Sequence, residues 1–141
     1  MKKETLLSEL RNHLESEHEE HGIYAARIHQ TKNTVVRLLF EQLMNDSQQH
    51  ANMLLAMIEF VQSGKWTSDE PVHETKLEFT RLMDSEHQML RAYTRMMSEV
   101  NDLKMRTLLN ILALDEDRHY RILQYILENF VAAEPKVRLE A

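Results

Sequence analysis

Glu116 and His119 stand three residues apart in a stretch whose apolar residues step by three and four. On a helix, both side chains therefore leave one face about a turn apart. Glu17, His50 and Glu86 interrupt three other apolar stripes in the same manner. Carboxylates and imidazoles gathered at core positions point to metal ligation, and this mixed set suits iron, manganese or zinc without any sulfur. The charge argument runs the same way. A buried, unpaired carboxylate costs several kcal/mol even after relaxation, and none of these five positions is matched by a Lys or Arg on the stripes. Two divalent ions would more than balance three carboxylates. The chain has no cysteine, which removes disulfide frameworks, thiolate zinc sites, iron–sulfur clusters and thiol nucleophiles together.

The elements that must position these residues follow from the same period. The first segment carries Leu7, Leu10, Leu14, Tyr24 and Ile28, with Glu17 and His21 at the missing steps. The second carries Val36, Phe40, Leu43, Leu54, Met57 and Val61, with Ser47 and His50 in the gap. The third runs Phe79, Leu82, Glu86, Met89, Tyr93, Met96, Val100, and the fourth Met105, Leu109, Leu112, Glu116, His119, Leu123, Ile126, Phe130. Each is the stripe of a core-facing bundle helix, broken near its middle by polar groups. Asn33 and Asp102 stand where side-chain oxygens would cap the second and fourth helices. The one long break, from Ser63 to Pro71, holds both a Gly and a Pro. Nine extended residues reach about 30 Å, enough for a crossover along most of a helix. Residues 1–131 are thus expected to form an all-α four-helix bundle, and 132–141 a frayed C-terminal tail.

Composition agrees. In 141 residues there are only two Gly and two Pro, too few for the frequent turns of an all-β fold. A net charge of −6 disfavours nucleic acid as the main partner. No apolar run reaches transmembrane length, and Met1-Lys2-Lys3-Glu4 leads into a polar helical pattern rather than an apolar leader. The expectation is a cytoplasmic protein that does not enter a membrane.

The chain also registers on itself at an offset of 69 residues. Between 9–54 and 78–123, 11 of 46 positions are identical without a gap. Ser16-Glu17-His18 falls on Ser85-Glu86-His87, Tyr24 on Tyr93, Asp46 on Asp115, His50 on His119, and the cap Asn33 on Asp102. Apolar periodicity does not explain matched Glu, His, Asp and Tyr at mid-helix. Two pseudo-symmetric helical hairpins, each carrying half of one site, do.

With these residues in view, the chain resembles the ferritin-like di-iron carboxylate proteins, and rubrerythrins above all, over about residues 5–130. That family draws one Glu from each of two helices and a Glu-x-x-His pair from each of the other two. The resemblance implies that Glu17 and Glu86 are the single-Glu ligands, Glu116 a bridging ligand, and His50 and His119 the terminal imidazoles. It implies that Asp46 and Asp115, each four residues before a His, accept a hydrogen bond from a ligating His and fix its tautomer. It also implies a pair of iron ions, with manganese or zinc as substitutes, and a homodimer. One departure stands out: Ser47 occupies the place of a bridging Glu. Glu20, one turn beyond Glu17, is the candidate to compensate, since its repeat partner is Met89 on the core stripe. An asymmetric two-metal site and a single tightly held ion both remain open.

Several residues carry plainer readings. Tyr24 and Tyr93 sit two turns past the single-Glu positions, as core tyrosines or as neighbours of the metal. His18 and His87 point about 100° from the ligand face and read as surface or inter-subunit residues; His29 and His73 read as loop or surface residues, while His13 and His21 flank Glu17 by one turn each and His21 lies on the stripe. The nine methionines are mostly gap-filling core, with haem ligation by Met53 or Met57 a remote alternative. Trp66 is expected to pin the long connection. The resemblance implies a non-haem di-metal protein that reduces peroxide or oxidises iron. With no cysteine to hold a rubredoxin-type iron, a peroxidase here would need an external electron donor. The competing reading is a helical bundle whose site is decayed or structural, acting through dimerisation or partner binding. Hemerythrin-like oxygen binding is matched only by His13-x-x-x-Glu17.

Overall fold

The four stripes fold as four α-helices in a computed structural model that describes residues 1–68 and 70–131. In order these are α1 (Lys3–Gln30), α2 (Thr34–Ser63), α3 (Lys76–Glu99) and α4 (Leu103–Phe130). No strand occurs among the described residues. Helix α1 packs on α2 and α3 on α4, so the protein is all-α and built from two helical hairpins. The chain divides into two compact units after residue 69, one hairpin in each. The expected tail at 132–141 lies outside the described residues. No described helix is long and apolar enough to cross a membrane.

Capping explains where the helices begin. Asn33 Oδ1 accepts from the Val36 amide at 3.1 Å, and Asp102 Oδ1 accepts from the Met105 amide at 2.8 Å. Each satisfies an amide that the first turn leaves without a partner. The intervening turns, Thr31 to Asn33 and Val100 to Asp102, occupy matching places in the repeat and have the same length. Helix α3 starts with a capping box that the stripe alone does not announce. The Glu78 amide donates to Thr75 Oγ1 and the Thr75 amide donates to the Glu78 carboxylate. Helix α2 ends at Gly64, whose φ of 75° is the left-handed cap that glycine adopts without a Cβ penalty. The connection then turns back onto α2: Trp66 stacks on Phe60 with ring centroids 4.3 Å apart, and Thr67 Oγ1 donates to Glu59 Oε2. Trp66 therefore holds the connection to the end of α2, its own neighbour in sequence.

Few side chains are fully buried in either hairpin among the described residues. Ala51 and Ser47 are buried in the first, with Ile58 further along; Ala113 and Glu116 are buried in the second, with Phe79. Small residues at the contact let two helix backbones approach closely. Other members of the stripes, including Leu43, Met57, Leu82, Met89, Met96 and Leu112, stay partly exposed. A helix pair on its own covers only the seam along its line of contact, narrower than the apolar face each helix presents.

Candidate metal centre

In the second hairpin, α3 brings Glu86 to α4, and α4 presents Glu116 and His119 one turn apart. Glu86, Glu116 and His119 each place one donor atom within 4.8 Å of the other two. His119 Nδ1 lies 3.4 Å from Glu86 Oε2 and 3.6 Å from Glu116 Oε2. In the first hairpin, α1 brings Glu17 to α2, where His50 Nδ1 lies 3.2 Å from Glu17 Oε1. Donors held tetrahedrally at about 2.1 Å from one ion stand about 3.4 Å apart. The two His119 separations in the second hairpin are close to that spacing, whereas the Glu17–His50 approach in the first is a hydrogen bond.

The surroundings fit a cation better than they fit these groups alone. Glu17 Oε2 and Glu86 Oε2 are buried without a hydrogen-bond partner, at matching positions of the repeat. The approach of His119 to Glu86 is close, but it does not satisfy that oxygen as a hydrogen bond. Glu116 is 7% exposed, and its nearest recorded polar contact is the 3.6 Å approach of His119. Buried polar atoms are nearly always satisfied, so these orphaned carboxylate oxygens have room for a positive partner. Two carboxylates and a neutral imidazole form a donor set for iron, manganese or zinc.

The remaining candidates fall elsewhere. Glu20 is exposed on α1 and is not brought into a cluster with the other donors. Three residues on from Glu17, it is rotated about 60° from that side chain's direction. Ser47 is 4% exposed and occupies in α2 the place that Glu116 occupies in α4. Asp115 lies 3.3 Å from Arg118 within α4, and both Asp46 and Asp115 have further polar partners. Tyr24 is half-buried with its ring 6.1 Å from Phe40, and Tyr93 is half-buried on α3. His13, His18, His29 and His73 are exposed, and His21 is half-buried. His87 tilts against Tyr120 with ring centroids 5.7 Å apart, beside an open depression lined also by Asp84, Gln88 and Arg91. That depression joins residues of two helices, and no one-helix period could have found it.

Comparison with known proteins adds one result. The rubrerythrin family profile matches residues 10–127, a span that includes all five clustered or paired donors. No curated protein and no solved structure gives a significant match.

Proposed function

Because this chain belongs to the rubrerythrin family, we propose that it is a non-haem metal–carboxylate protein that binds a pair of iron ions and reduces peroxide. The observation that carries the reading is the gathering of one donor atom each from Glu86, Glu116 and His119 within 4.8 Å of one another, with a buried carboxylate oxygen left unpaired. Glu17 and His50 would supply the donors for a second ion. Reduced iron supplies electrons and polarises the O–O bond. The chain's part is to hold the ions by five side chains and to balance their charge with three carboxylates in a half-buried setting. Carboxylates can follow changes of charge by swinging between one- and two-oxygen contact. Asp46 and Asp115 would orient the imidazoles.

Reduction of one peroxide to two waters consumes two electrons and two protons. With no cysteine among these 141 residues to hold a thiolate iron, the electrons come from a donor outside them. Iron oxidation is the second outcome of the same site, with Fe(II) as the electron source. The protein is proposed to work as a homodimer. The test is anaerobic loading with Fe(II), followed by peroxide in rapid mixing. Fast oxidation of bound iron at one peroxide per two Fe(II), and turnover when a reductant is added, are expected. Failure to take up Fe(II), Mn(II) or Zn(II), with an unchanged melting temperature, would replace this reading with a purely structural bundle. Ser47 is the residue that favours that alternative.

A further inference from the structure

We infer that the two hairpins bind metal unequally: one ion is held tightly by Glu86, Glu116 and His119, and a second is held weakly at Glu17 and His50, with Ser47 setting the difference. This rests on the metal-binding reading above and goes beyond it, because it assigns an order and a location to the ions.

The inference comes from how closely the hairpins otherwise agree. Both place an imidazole Nδ1 against a carboxylate from the neighbouring helix, at 3.2 Å in the first and 3.4 Å in the second. Both bury one oxygen of that carboxylate without a hydrogen bond. Both bury the residue one turn before the histidine, Ser47 at 4% exposed and Glu116 at 7%. At that position the chemistry differs. Glu116 brings a charged oxygen on a long side chain into the cluster. Ser47 brings a neutral hydroxyl that is two bonds shorter and is a poor ligand for a divalent ion in its protonated form. The second hairpin therefore offers three donors and two negative charges, whereas the first offers two donors and one charge. Glu20 does not make up the deficit: among the described residues no third donor is gathered with Glu17 and His50. Altering a residue that merely supports a metal ligand costs about 10–100-fold in affinity, so a missing ligand separates the two affinities by at least about tenfold.

The experiment is a titration of the full chain with Mn(II) alone, in which electron paramagnetic resonance counts the free ion and calorimetry measures affinity. Expected are one ion per chain bound at least about tenfold tighter than any second, and an uncoupled signal at one equivalent. Glu116→Gln should abolish the tight phase, while Glu17→Ala should leave it in place. Ser47→Glu should raise the second affinity towards the first. Two ions binding with equal affinity to the wild-type chain would overturn the inference and leave the metal-binding reading standing. A tight ion lost in Glu17→Ala but kept in Glu116→Gln would overturn the location. No Mn(II), Fe(II) or Zn(II) binding at all would overturn both. Should Ser47→Glu fail to fold, the wild-type titration and the other two variants decide the matter.

Discussion

Ser47 and Glu116 occupy equivalent places in the two hairpins, and comparing them separates what the fold demands from what the chemistry demands. The fold asks only that the position be buried and not too large, because it lies where two helices meet. Serine satisfies that request without cost. Glutamate brings a carboxylate into a buried position, where a cation would offset the cost of its charge. The second hairpin thus buries one carboxylate at a place where the first buries a neutral hydroxyl. A residue that is poor for packing and placed beside another carboxylate and an imidazole is the mark of a site.

The largest contrast expected between the hairpins is hydrophobic. Phe79, buried in the second, corresponds to the half-buried Leu10 in the first. Phe79→Ala should lower unfolding free energy by about 3–5 kcal/mol and Leu10→Ala by roughly half as much, read by chemical denaturation. Next comes the metal itself. An ion present at a hundred times its dissociation constant should stabilise the protein by about 2.7 kcal/mol. Chelation should remove that gain and lower the melting temperature. Glu116→Met should abolish the gain and make the metal-free protein more stable by about 1 kcal/mol, since it exchanges a buried charge for an apolar side chain. A metal-free Glu116→Met protein less stable than wild type would show that Glu116 already has an adequate partner. The caps should be alike: Asn33→Ala and Asp102→Ala are each expected to cost about 1 kcal/mol, and a large inequality would break the equivalence of the two turns. Smallest is Trp66→Ala, which removes one aromatic pair at the end of α2 and should cost about 0.5–1.5 kcal/mol in a thermal melt.

Much of this architecture was legible in the sequence, for identifiable reasons. The stripes marked four helices because burying one face imposes a period that polar residues cannot imitate over seven or more steps. Asn33 and Asp102 marked the turns because a cap has a local, side-chain cause. The repeat placed Glu17 with His50, and Glu86 with Glu116 and His119, since matching polar residues at mid-helix had no packing explanation. What stayed hidden depended on finer geometry. Glu20 was expected inward from its match to Met89, but both side chains are exposed, so the match carried no inward direction. Thr75 and Glu78 carry a recognisable capping pair, but the Gly and Pro of the connection drew the boundary earlier. The depression beside His87 and Tyr120 needs two helices in register, which no single stripe encodes.

Trp66 is the only tryptophan in the chain, and its place on Phe60 has a practical consequence. Selective excitation makes the whole protein emit from one spot, ten residues or about 15 Å along α2 from His50. A colourless ion such as Zn(II) has no direct means of altering that emission. A change in indole fluorescence on adding Zn(II) would therefore report a displacement transmitted down α2 to the folded-back connection.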